Sequence, residues 1–313
     1  MIEIIKSKTN FNFTGMFIIT GSISLILVIG SIMLAFTKMK YGVDFRGGAE
    51  VQVKFANPTR VTDIRESLSN AGFNSSSVQT IGEASDNEVL IKVQANENEL
   101  NTVELKVEEN LEKTFGKDNV EVRKVDIVGP KAGSELRVSG FQAMGYALLA
   151  IMIYIGLRFD FKYSPGAIGA LLHDVSIVLG IFALTGSEFT LQTVAALLAV
   201  IGYSVNDTVI VYDRVRENEI NMPGKSLAEQ IDKSINETLS RTVLTSGTTL
   251  FVSIAMYVFG GEAIKDFFFA ISIGVIVGTY SSIFVAAPIT LVLDRLFGDS
   301  KSTTAVTSKV QQN

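Results

Sequence analysis

The chain has 313 residues, of which 47% are hydrophobic and 19% are charged, and its mean hydropathy is positive, at +0.35. This composition is too apolar for an ordinary soluble protein and is typical of a membrane protein with a soluble part. A net charge of -5 without a basic patch argues against nucleic-acid binding. The absence of cysteine excludes disulfides and thiolate sites, and the presence of only one histidine excludes a histidine-rich metal site.

Six apolar segments are each close to the ~20 residues that cross a lipid bilayer. They cover residues 16–36, 139–157, 165–184, 189–212, 242–259 and 267–293. The first has no small-residue cleavage site, so we expect a membrane anchor and not a removed signal peptide. Lysine and arginine residues flanking these segments predict that residues 1–15, 213–241 and 294–313 are cytoplasmic, with the polar tail after Phe297 disordered.

Residues 37–138 form one long polar connection, which the same charge pattern places outside the cytoplasm. Alternating apolar and polar residues predict strands, and apolar residues at helical spacing predict helices. In chain order these are strand 50–56, helix 59–71, strands 78–82 and 88–95, helix 98–115 and strand 120–128. The order β-α-β-β-α-β predicts a ferredoxin-like α+β domain. Its polar residues are scattered, as on a solvated surface, and none has the pattern of a catalytic site.

Leucine and isoleucine recur every four residues between Ser226 and Leu239, in the connection after the fourth apolar segment. Ser226 and Glu229 fit a capping box at the start of this pattern. We therefore expect an amphipathic helix that lies on the membrane surface or against the bundle. A helix dedicated to docking a partner is the alternative.

Asp207 lies inside the fourth apolar segment, and the first basic residues after it are Arg214 and Arg216. At 1.5 Å per helical residue, the carboxylate is roughly 10–14 Å below this basic boundary, close to the middle of the bilayer. A carboxylate at that depth costs several kcal/mol, so it is retained only with a partner or a task.

Arg241 opens the fifth apolar segment and is the natural partner for Asp207, because an antiparallel neighbour brings its long side chain toward that depth. Four hydroxyl residues continue the same helical face: Thr245, Thr248, Thr249 and Ser253. Two interpretations follow. Asp207 and Arg241 form either a titrating ion-translocation site or a static ion pair that ties two helices together. Asn206 and Thr245 are candidate accessory polar residues beside them.

His173 and Asp174 form a second polar pair, inside the third apolar segment. The histidine has the chemistry of a proton relay, and an interhelical hydrogen-bonded contact is the alternative. In the last segment, Gly274 and Gly278 form a GxxxG pattern, which predicts close helix packing.

Enzyme motifs are missing from the sequence, which has no nucleophile elbow, phosphate loop, zinc-ligand spacing or HExxH. Asp174 and Asp207 resemble an intramembrane aspartyl pair only superficially, since Arg241 would keep Asp207 ionised and prevent two carboxyls from sharing a proton. We therefore expect no enzyme activity, cofactor or metal.

Five motifs resemble the SecD/SecF protein-export family, and they occur in its order along nearly the whole chain. They are YGVDFRGG (41–48), VGPKAGSEL (128–136), HDV (173–175), IGYSVNDTVIVYDRVREN (201–218) and RTVLTSGTTL (241–250). The last three, the six spans and the single modest external domain resemble the SecF branch, because SecD carries a much larger external domain. The signature positions are Asp44, Gly47, Gly48, Gly129, Pro130 and Gly133. From the residues alone, Gly47 and Gly48 indicate only a turn, and Gly129 with Pro130 only a loop before a helix.

The resemblance implies half of an RND-type helical bundle, in which six spans pair with six from a SecD-type subunit. It implies a role in the SecDF complex, which uses an ion gradient to promote Sec-dependent export across the bacterial or archaeal cytoplasmic membrane. The implied partners are SecD, the SecYEG translocon, YajC, unfolded exported polypeptides and the lipid bilayer. The family's fourth-span aspartate and fifth-span arginine serve proton transport, and the matching positions here are Asp207 and Arg241.

Two other functions remain open. An RND-like exporter of small molecules or lipids would share a proton-coupled bundle, but it usually needs twelve spans in one chain and larger external domains. A purely structural assembly factor would use Asp207 only for stability. The sequence does not distinguish H⁺ from Na⁺ as the coupling ion.

Overall fold

The computed structural model describes residues 9–73, 76–82, 86–95, 99–159 and 161–297. The helices are α1 (Phe17–Lys38), α2 (Val43–Arg46), α3 (Val61–Asn70), α4 (Leu100–Phe115), α5 (Pro130–Arg158), α6 (Ser164–Thr185), α7 (Leu191–Asn221), α8 (Leu227–Phe259), α9 (Glu262–Ser281) and α10 (Ala287–Phe297). The strands are β1 (Lys40–Tyr41), β2 (Gly48–Phe55), β3 (Ser77–Ile81), β4 (Glu88–Gln94), β5 (Val120–Val128) and β6 (Glu188–Phe189). The tail predicted to be disordered and the first eight residues lie outside this description.

Six helical segments in the described part of the chain are long and apolar enough to cross a membrane, which confirms the six predicted spans. They are α1, α5, α6, α7, α8 and the continuous run from α9 through α10, and they are 22 to 34 residues long. Each exceeds the ~20 residues that a bilayer requires, so helical structure continues past the apolar core.

The connection 213–241 differs from the prediction of a loop that contains a separate helix. α7 continues to Asn221 and α8 starts at Leu227, so the amphipathic segment is the first part of a helix that also forms the fifth span. Pro223 and Gly224, whose φ is 86°, provide the break between them. The rest of the connection lacks such residues, and an uninterrupted helix keeps every internal backbone hydrogen bond.

The predicted capping box at the start of α8 is confirmed. The Ser226 hydroxyl accepts a hydrogen bond from the Glu229 N–H at 3.3 Å, and the Glu229 carboxylate accepts one from the Ser226 N–H at 3.0 Å. Two otherwise unpaired N–H groups are satisfied reciprocally, which fixes the first turn of the helix.

Residues 48–128 form an α+β domain whose element order is the predicted β-α-β-β-α-β. Its antiparallel sheet has the strand order β3-β4-β2-β5. Alternate residues of β2 are buried because α3 and α4 cover one face of the sheet. The domain's core includes Val51, Ile64, Leu68, Ile91, Val107 and Leu111.

The two glycines of the first signature bring the chain from the bundle into β2. Gly47 has a φ of 86°, and a Cβ there would lie 2.7 Å from the Cα of Pro130. Gly48 has a φ of 151°, and a Cβ there would lie 2.2 Å from the carbonyl oxygen of Val93. A larger residue at either position would be strained and would collide with backbone. The glycines therefore let the first signature pack directly against the start of α5 and against β4.

Asp44 connects the same signature to α7. Its Oδ2 accepts a hydrogen bond at 2.9 Å from the N–H of Leu191, the first residue of that helix. Beside it, β1 pairs in parallel with β6, and the Gly42 N–H donates to the Phe189 carbonyl oxygen at 2.9 Å. A carboxylate at a helix N-terminus also interacts favourably with the helix dipole. The signature therefore fixes the start of the helix that carries Asp207.

α7 and α9 approach closely through the predicted GxxxG pattern. A Cβ at Gly274 would lie 2.2 Å from Cγ2 of Val200, and one at Gly278 would lie 3.0 Å from Cβ of Ser204. Such distances are possible only without side chains on α9, which confirms the prediction of close packing. This contact brings polar groups of the two helices within hydrogen-bonding distance.

The last span contains a π-helical segment, Ser282–Ala286, between α9 and α10. The carbonyl oxygen of Ala286 accepts hydrogen bonds from the Tyr212 hydroxyl at 3.2 Å and from Thr290 Oγ1 at 3.1 Å. Such segments frequently occur at functional sites. This one follows directly after Ser281, which belongs to one of the buried polar clusters described next.

Candidate functional site

Asp207 is completely buried between α7, α8 and α9. Its Oδ2 accepts a hydrogen bond from Ser246 Oγ of α8 at 3.3 Å, and its Oδ1 has no hydrogen-bond partner among the described residues. Ser246 Oγ also lies 2.7 Å from Thr279 Oγ1 of α9 and 3.3 Å from the Tyr203 hydroxyl. One long hydrogen bond stabilises a buried carboxylate anion poorly. The Asp207 carboxylate is therefore the less well satisfied of the two buried carboxylates in the bundle.

Arg241 does not form the expected direct ion pair with Asp207. No guanidinium nitrogen of Arg241 lies within 4.0 Å of a carboxylate oxygen of Asp207, although the guanidinium is close enough to interact electrostatically with the carboxylate. The reason is orientation. Asp207 faces the interior, toward Ser246, whereas Arg241 is exposed on the bundle surface. The role of Arg241 in ion translocation stays a prediction.

The hydroxyl stripe on α8 does not reach Asp207. Thr245 Oγ1 donates to the carbonyl oxygen of Arg241 at 3.0 Å, and Thr248 and Thr249 likewise donate to carbonyls one turn earlier in their own helix. Asn206 is exposed on α7. Both residues were predicted as candidate accessory polar residues beside Asp207 and Arg241. In this conformation, neither Asn206 nor Thr245 belongs to the buried hydrogen-bonded network around Asp207.

Asp174 of α6 forms a second buried site whose carboxylate is fully hydrogen-bonded. Its Oδ1 lies 2.9 Å from His173 Nδ1. Its Oδ2 accepts hydrogen bonds from Ser204 Oγ of α7 at 2.6 Å and from Ser281 Oγ of α9 at 2.8 Å. Three short hydrogen bonds from three helices offset the desolvation of a carboxylate. Asp174 thus ties α6, α7 and α9 together.

His173 connects this site to α1. Its imidazole is buried and stacks on Tyr280, with ring centroids 5.9 Å apart, and its Nε2 has no hydrogen-bond partner among the described residues. The Tyr280 hydroxyl lies 3.0 Å from Ser24 Oγ and donates to the Thr20 carbonyl oxygen at 3.1 Å. The predicted pair of His173 and Asp174 is therefore in direct contact, and His173 links it through Tyr280 to α1.

The two buried sites are neighbours but remain separate. Ser204 and Asp207 are one turn apart on α7, and Thr279 and Ser281 belong to the same turn of α9. The hydrogen bonds of Asp174 and Asp207 share no partner, so the carboxyls do not form a proton-sharing pair. The described residues also contain no group of three or more His, Asp or Glu side chains that could hold a metal ion.

Ser246 was missed by the sequence analysis, which followed the helical face of Arg241. Ser246 lies five residues after Arg241, on a different face, within a segment rich in hydroxyl residues. The burial of this face depends on where α9 packs, and no local pattern shows that.

Glu188 is a titratable group at the junction of the bundle with the α+β domain, outside the spanning helices. Burial raises the pKa of its carboxyl above the usual range, and the negative charges of Asp266 and Glu50 raise it further, while Lys92 and Lys40 act in the opposite direction. The ionised form of the Glu188 carboxyl is therefore poorly solvated at this junction.

The sequence family described as "Protein export membrane protein SecD/SecF, C-terminal" matches residues 106–296, and the family described as "SecD/SecF GG Motif" matches residues 32–59. The protein translocase subunit SecF of Desulfurispirillum indicum is 46% identical over 274 residues, which cover 85% of this chain and 86% of the relative. The subunit SecF of Rickettsia rickettsii is 40% identical over 95% of this chain and 96% of its own. The chain belongs to the SecF family.

Solved structures agree with this membership of the SecF family. The crystal structure of SecDF from Thermus thermophilus, described as a translocon-associated membrane protein, matches 93% of this chain with a TM-score of 0.80 and 34% sequence identity. A SecDF structure in a super-membrane-facing form matches with a TM-score of 0.72 and the same identity. In both comparisons this SecF-family chain spans 40% of the SecDF chain's length. The SecF-type subunit is thus a multi-pass membrane protein of the protein translocase.

Proposed function

We propose that this chain is the SecF-type half of a SecDF assembly that uses the transmembrane proton or sodium gradient to promote protein export across the cytoplasmic membrane. The observation that carries this proposal is the fully buried Asp207, whose carboxylate has one hydrogen bond and one unpaired oxygen. A buried carboxylate with a single long hydrogen bond is unfavourable in its ionised form, so binding a proton or a cation would stabilise it.

The environments of the two buried carboxylates support different roles. Asp174 has three hydrogen bonds, whereas Asp207 has one at 3.3 Å. Neutralising Asp174 would disturb a satisfied network, while neutralising Asp207 removes an unfavourable charge. We therefore assign ion exchange to Asp207 and helix organisation to Asp174.

The ion gradient supplies enough free energy to shift the bundle between two states. Moving one elementary charge through 100 mV is worth about 2.3 kcal/mol. At about 1.4 kcal/mol per decade, this changes a two-state population by more than tenfold. The shift passes along α7 to Leu191 and its contact with Asp44, and so reaches the α+β domain.

A SecD-type subunit is the proposed partner in the membrane. Asn206, Arg241 and Thr248 are exposed on spanning helices of this chain, and exposure of such groups to lipid is costly. A facing half would cover them, in keeping with the longer SecDF chains that this chain matches in part. The SecYEG translocon, YajC and unfolded exported polypeptides complete the proposed set of partners. Both termini are proposed to be cytoplasmic and the α+β domain extracytoplasmic.

The test is protein export into inverted membrane vesicles with and without an imposed ion gradient. Asp207→Asn is expected to abolish the gradient-stimulated part while the protein still accumulates with its SecD-type partner. Arg241→Met should do nearly the same, and Arg241→Lys should retain part because the charge survives without the planar geometry. Full gradient stimulation in Asp207→Asn would refute the proposal and favour a static role.

A further inference from the structure

A groove of about 630 Å³ lies between the start of α1 and the end of α10. α1 packs against α6 and the π-helical segment, whereas it has few contacts with α10. At the deep end, the Tyr280 hydroxyl joins α9 to α1 through Ser24 Oγ at 3.0 Å and the Thr20 carbonyl oxygen at 3.1 Å. Ile18 and Val292 line the groove and are 84% and 53% exposed. The groove is therefore open toward the bilayer.

The sequence explains why the space between these two helices is unfilled. Pro288 is the second residue of α10 and follows the π-helical segment. Proline has no N–H to donate to the preceding turn, and a π-helical turn contains an extra residue, so both displace a helix axis. On the opposite wall Gly21 has no side chain, and a Cβ there would have nothing within 4 Å.

The groove begins at the membrane surface and extends into one leaflet. Its lining runs from Thr14 to Gly21 on α1 and from Arg295 to Pro288 on α10. Both runs start at the same side of the bundle, where α1 begins and α10 ends. Seven helical positions correspond to about 10 Å, and one leaflet contains about 15 Å of hydrocarbon. The groove therefore covers most of the depth of a leaflet.

The lining is polar at the surface and apolar below it. Asn12, Thr14 and Arg295 line the mouth, and the deeper lining includes Phe17 and Leu291. Arg295 provides the only charged side chain of the lining among the described residues. It is exposed, and no carboxylate oxygen in the described part of the chain lies within 4.0 Å of its guanidinium. The mouth therefore presents a cation without a protein counter-ion.

The acids near the mouth do not occupy this cation. Asp232 of α8 accepts hydrogen bonds from the Thr14 N–H at 2.8 Å and from the Thr14 hydroxyl at 2.7 Å. Neither Asp232 nor Asp294 lines the groove. Asn12 Oδ1 accepts a hydrogen bond from the Gly15 N–H at 2.8 Å, which leaves its amide NH2 as a donor. A guanidinium and an amide donor at one mouth suit a phosphate group.

We propose that this groove binds a phospholipid with an anionic headgroup. One acyl chain lies between α1 and α10, and the phosphate lies at Arg295 and Asn12. The lipid fills the gap between the two helix ends that direct protein contacts leave open. The inference does not depend on ion exchange at Asp207.

Tryptophan fluorescence tests lipid binding at this groove. The chain has no tryptophan, so one introduced indole is the only one in it. Ile18→Trp and Ile19→Trp are made singly in the full chain, which is co-expressed with its SecD-type partner. The complex is reconstituted in phosphatidylcholine with increasing fractions of phosphatidylglycerol that has brominated acyl chains, which quench tryptophan on contact. Fluorescence of the complex without the introduced tryptophan is subtracted.

The two tryptophan positions have nearly the same depth in the membrane. Ile18 lines the groove, whereas Ile19 lies outside it and is 64% exposed. We expect Ile18→Trp to report at least about a fivefold preference for phosphatidylglycerol over phosphatidylcholine, the factor that one arginine near the membrane surface contributes. Ile19→Trp should report about equal affinity for the two lipids.

Second substitutions combined with Ile18→Trp test each part of the groove. Arg295→Gln should remove the preference, and Arg295→Lys should keep most of it because the charge survives. Gly21→Leu should remove it by filling the groove. Gly30→Leu is the matched control on α1, since a Cβ at Gly30 also has nothing within 4 Å, and it should leave the preference unchanged.

Each contrary result would overturn the lipid site. Equal preference at the two tryptophan positions would show only general attraction of anionic lipid to the membrane surface of the protein. A preference that survives both Arg295→Gln and Gly21→Leu would exclude this groove as its origin. Absence of quenching of Ile18→Trp by brominated lipid of either headgroup would show that protein, and not lipid, covers the groove.

Discussion

Replacing Gly274 with alanine tests the close packing of α7 and α9 that places the buried polar groups together. The new Cβ would lie 2.2 and 2.6 Å from the two Cγ atoms of Val200 and 2.9 Å from its Cβ. Carbon atoms require ~3.5–4.0 Å. Rotation of the valine cannot relieve three contacts at once, and its χ1 is stiff. The helices must therefore separate by more than about 1 Å.

This separation would stretch the hydrogen bonds of Asp174 that start on the same two helices, from Ser204 at 2.6 Å and from Ser281 at 2.8 Å. Overpacking of this kind costs about 1–3 kcal/mol. Gly278→Ala should cost less, since its Cβ would lie 3.0 Å from Ser204 Cβ. Gly202→Ala is the matched control on α7, because a Cβ there has nothing within 4 Å and alanine favours a helix by about 0.5–1 kcal/mol.

The assay is thermal unfolding of the purified chain with its partner in detergent. We expect Gly274→Ala to melt lowest, followed by Gly278→Ala, with Gly202→Ala at or above the wild type. A melting temperature of Gly274→Ala equal to that of the wild type would refute the packing argument.

Three further predictions concern single contacts. Ser246→Ala should lower gradient-stimulated export several-fold, because losing one hydrogen bond costs about 1 kcal/mol of free energy. Ser253→Ala, on the same helix but away from Asp207, should not lower it. Equal effects of the two substitutions would argue against a role for the Ser246 contact. Asp44→Ala should destabilise the protein by about 1 kcal/mol, as loss of a helix cap does. Asp44→Asn keeps a hydrogen-bond acceptor and should destabilise it less. Thermal unfolding of the two variants checks this order of stability. Glu188→Gln should raise thermal stability at neutral pH, because burial raises the pKa of Glu188 and its ionisation there opposes folding. This gain should shrink as the pH falls through the raised pKa of Glu188 and should be lost below about pH 4, where the carboxyl becomes mostly protonated in the unfolded chain as well. The exposed Glu109→Gln should show no such gain.

The sequence predicted the features that depend on local pattern. The six apolar segments, the Ser226–Glu229 capping box and the Gly274–Gly278 packing face are each set by residues within a few helical turns, and each is present. The continuous helix from Leu227 was not predicted, because the change from amphipathic to apolar composition resembled a boundary between two elements.

The features that the sequence did not predict depend on which helices meet. Ser204 and Ser281 converge on Asp174 from two other helices, and Ser246, not Arg241, contacts Asp207. These contacts link residues 30 to 107 positions apart in the chain. Hydroxyl residues are also common in apolar helices, where they donate to their own backbone, so their presence alone does not show which of them reach a partner.

The most direct test of the account is infrared difference spectroscopy of the reconstituted assembly across a pH change. A protonated carboxyl in an apolar site has a carbonyl stretch that an ionised carboxylate lacks, so the bands report which buried acid gains and loses a proton. The account predicts a pH-dependent carboxyl band that is present in the wild type and in Asp174→Asn and is lost in Asp207→Asn. If this band persists in Asp207→Asn and disappears in Asp174→Asn, the assignment of ion exchange to Asp207 is contradicted.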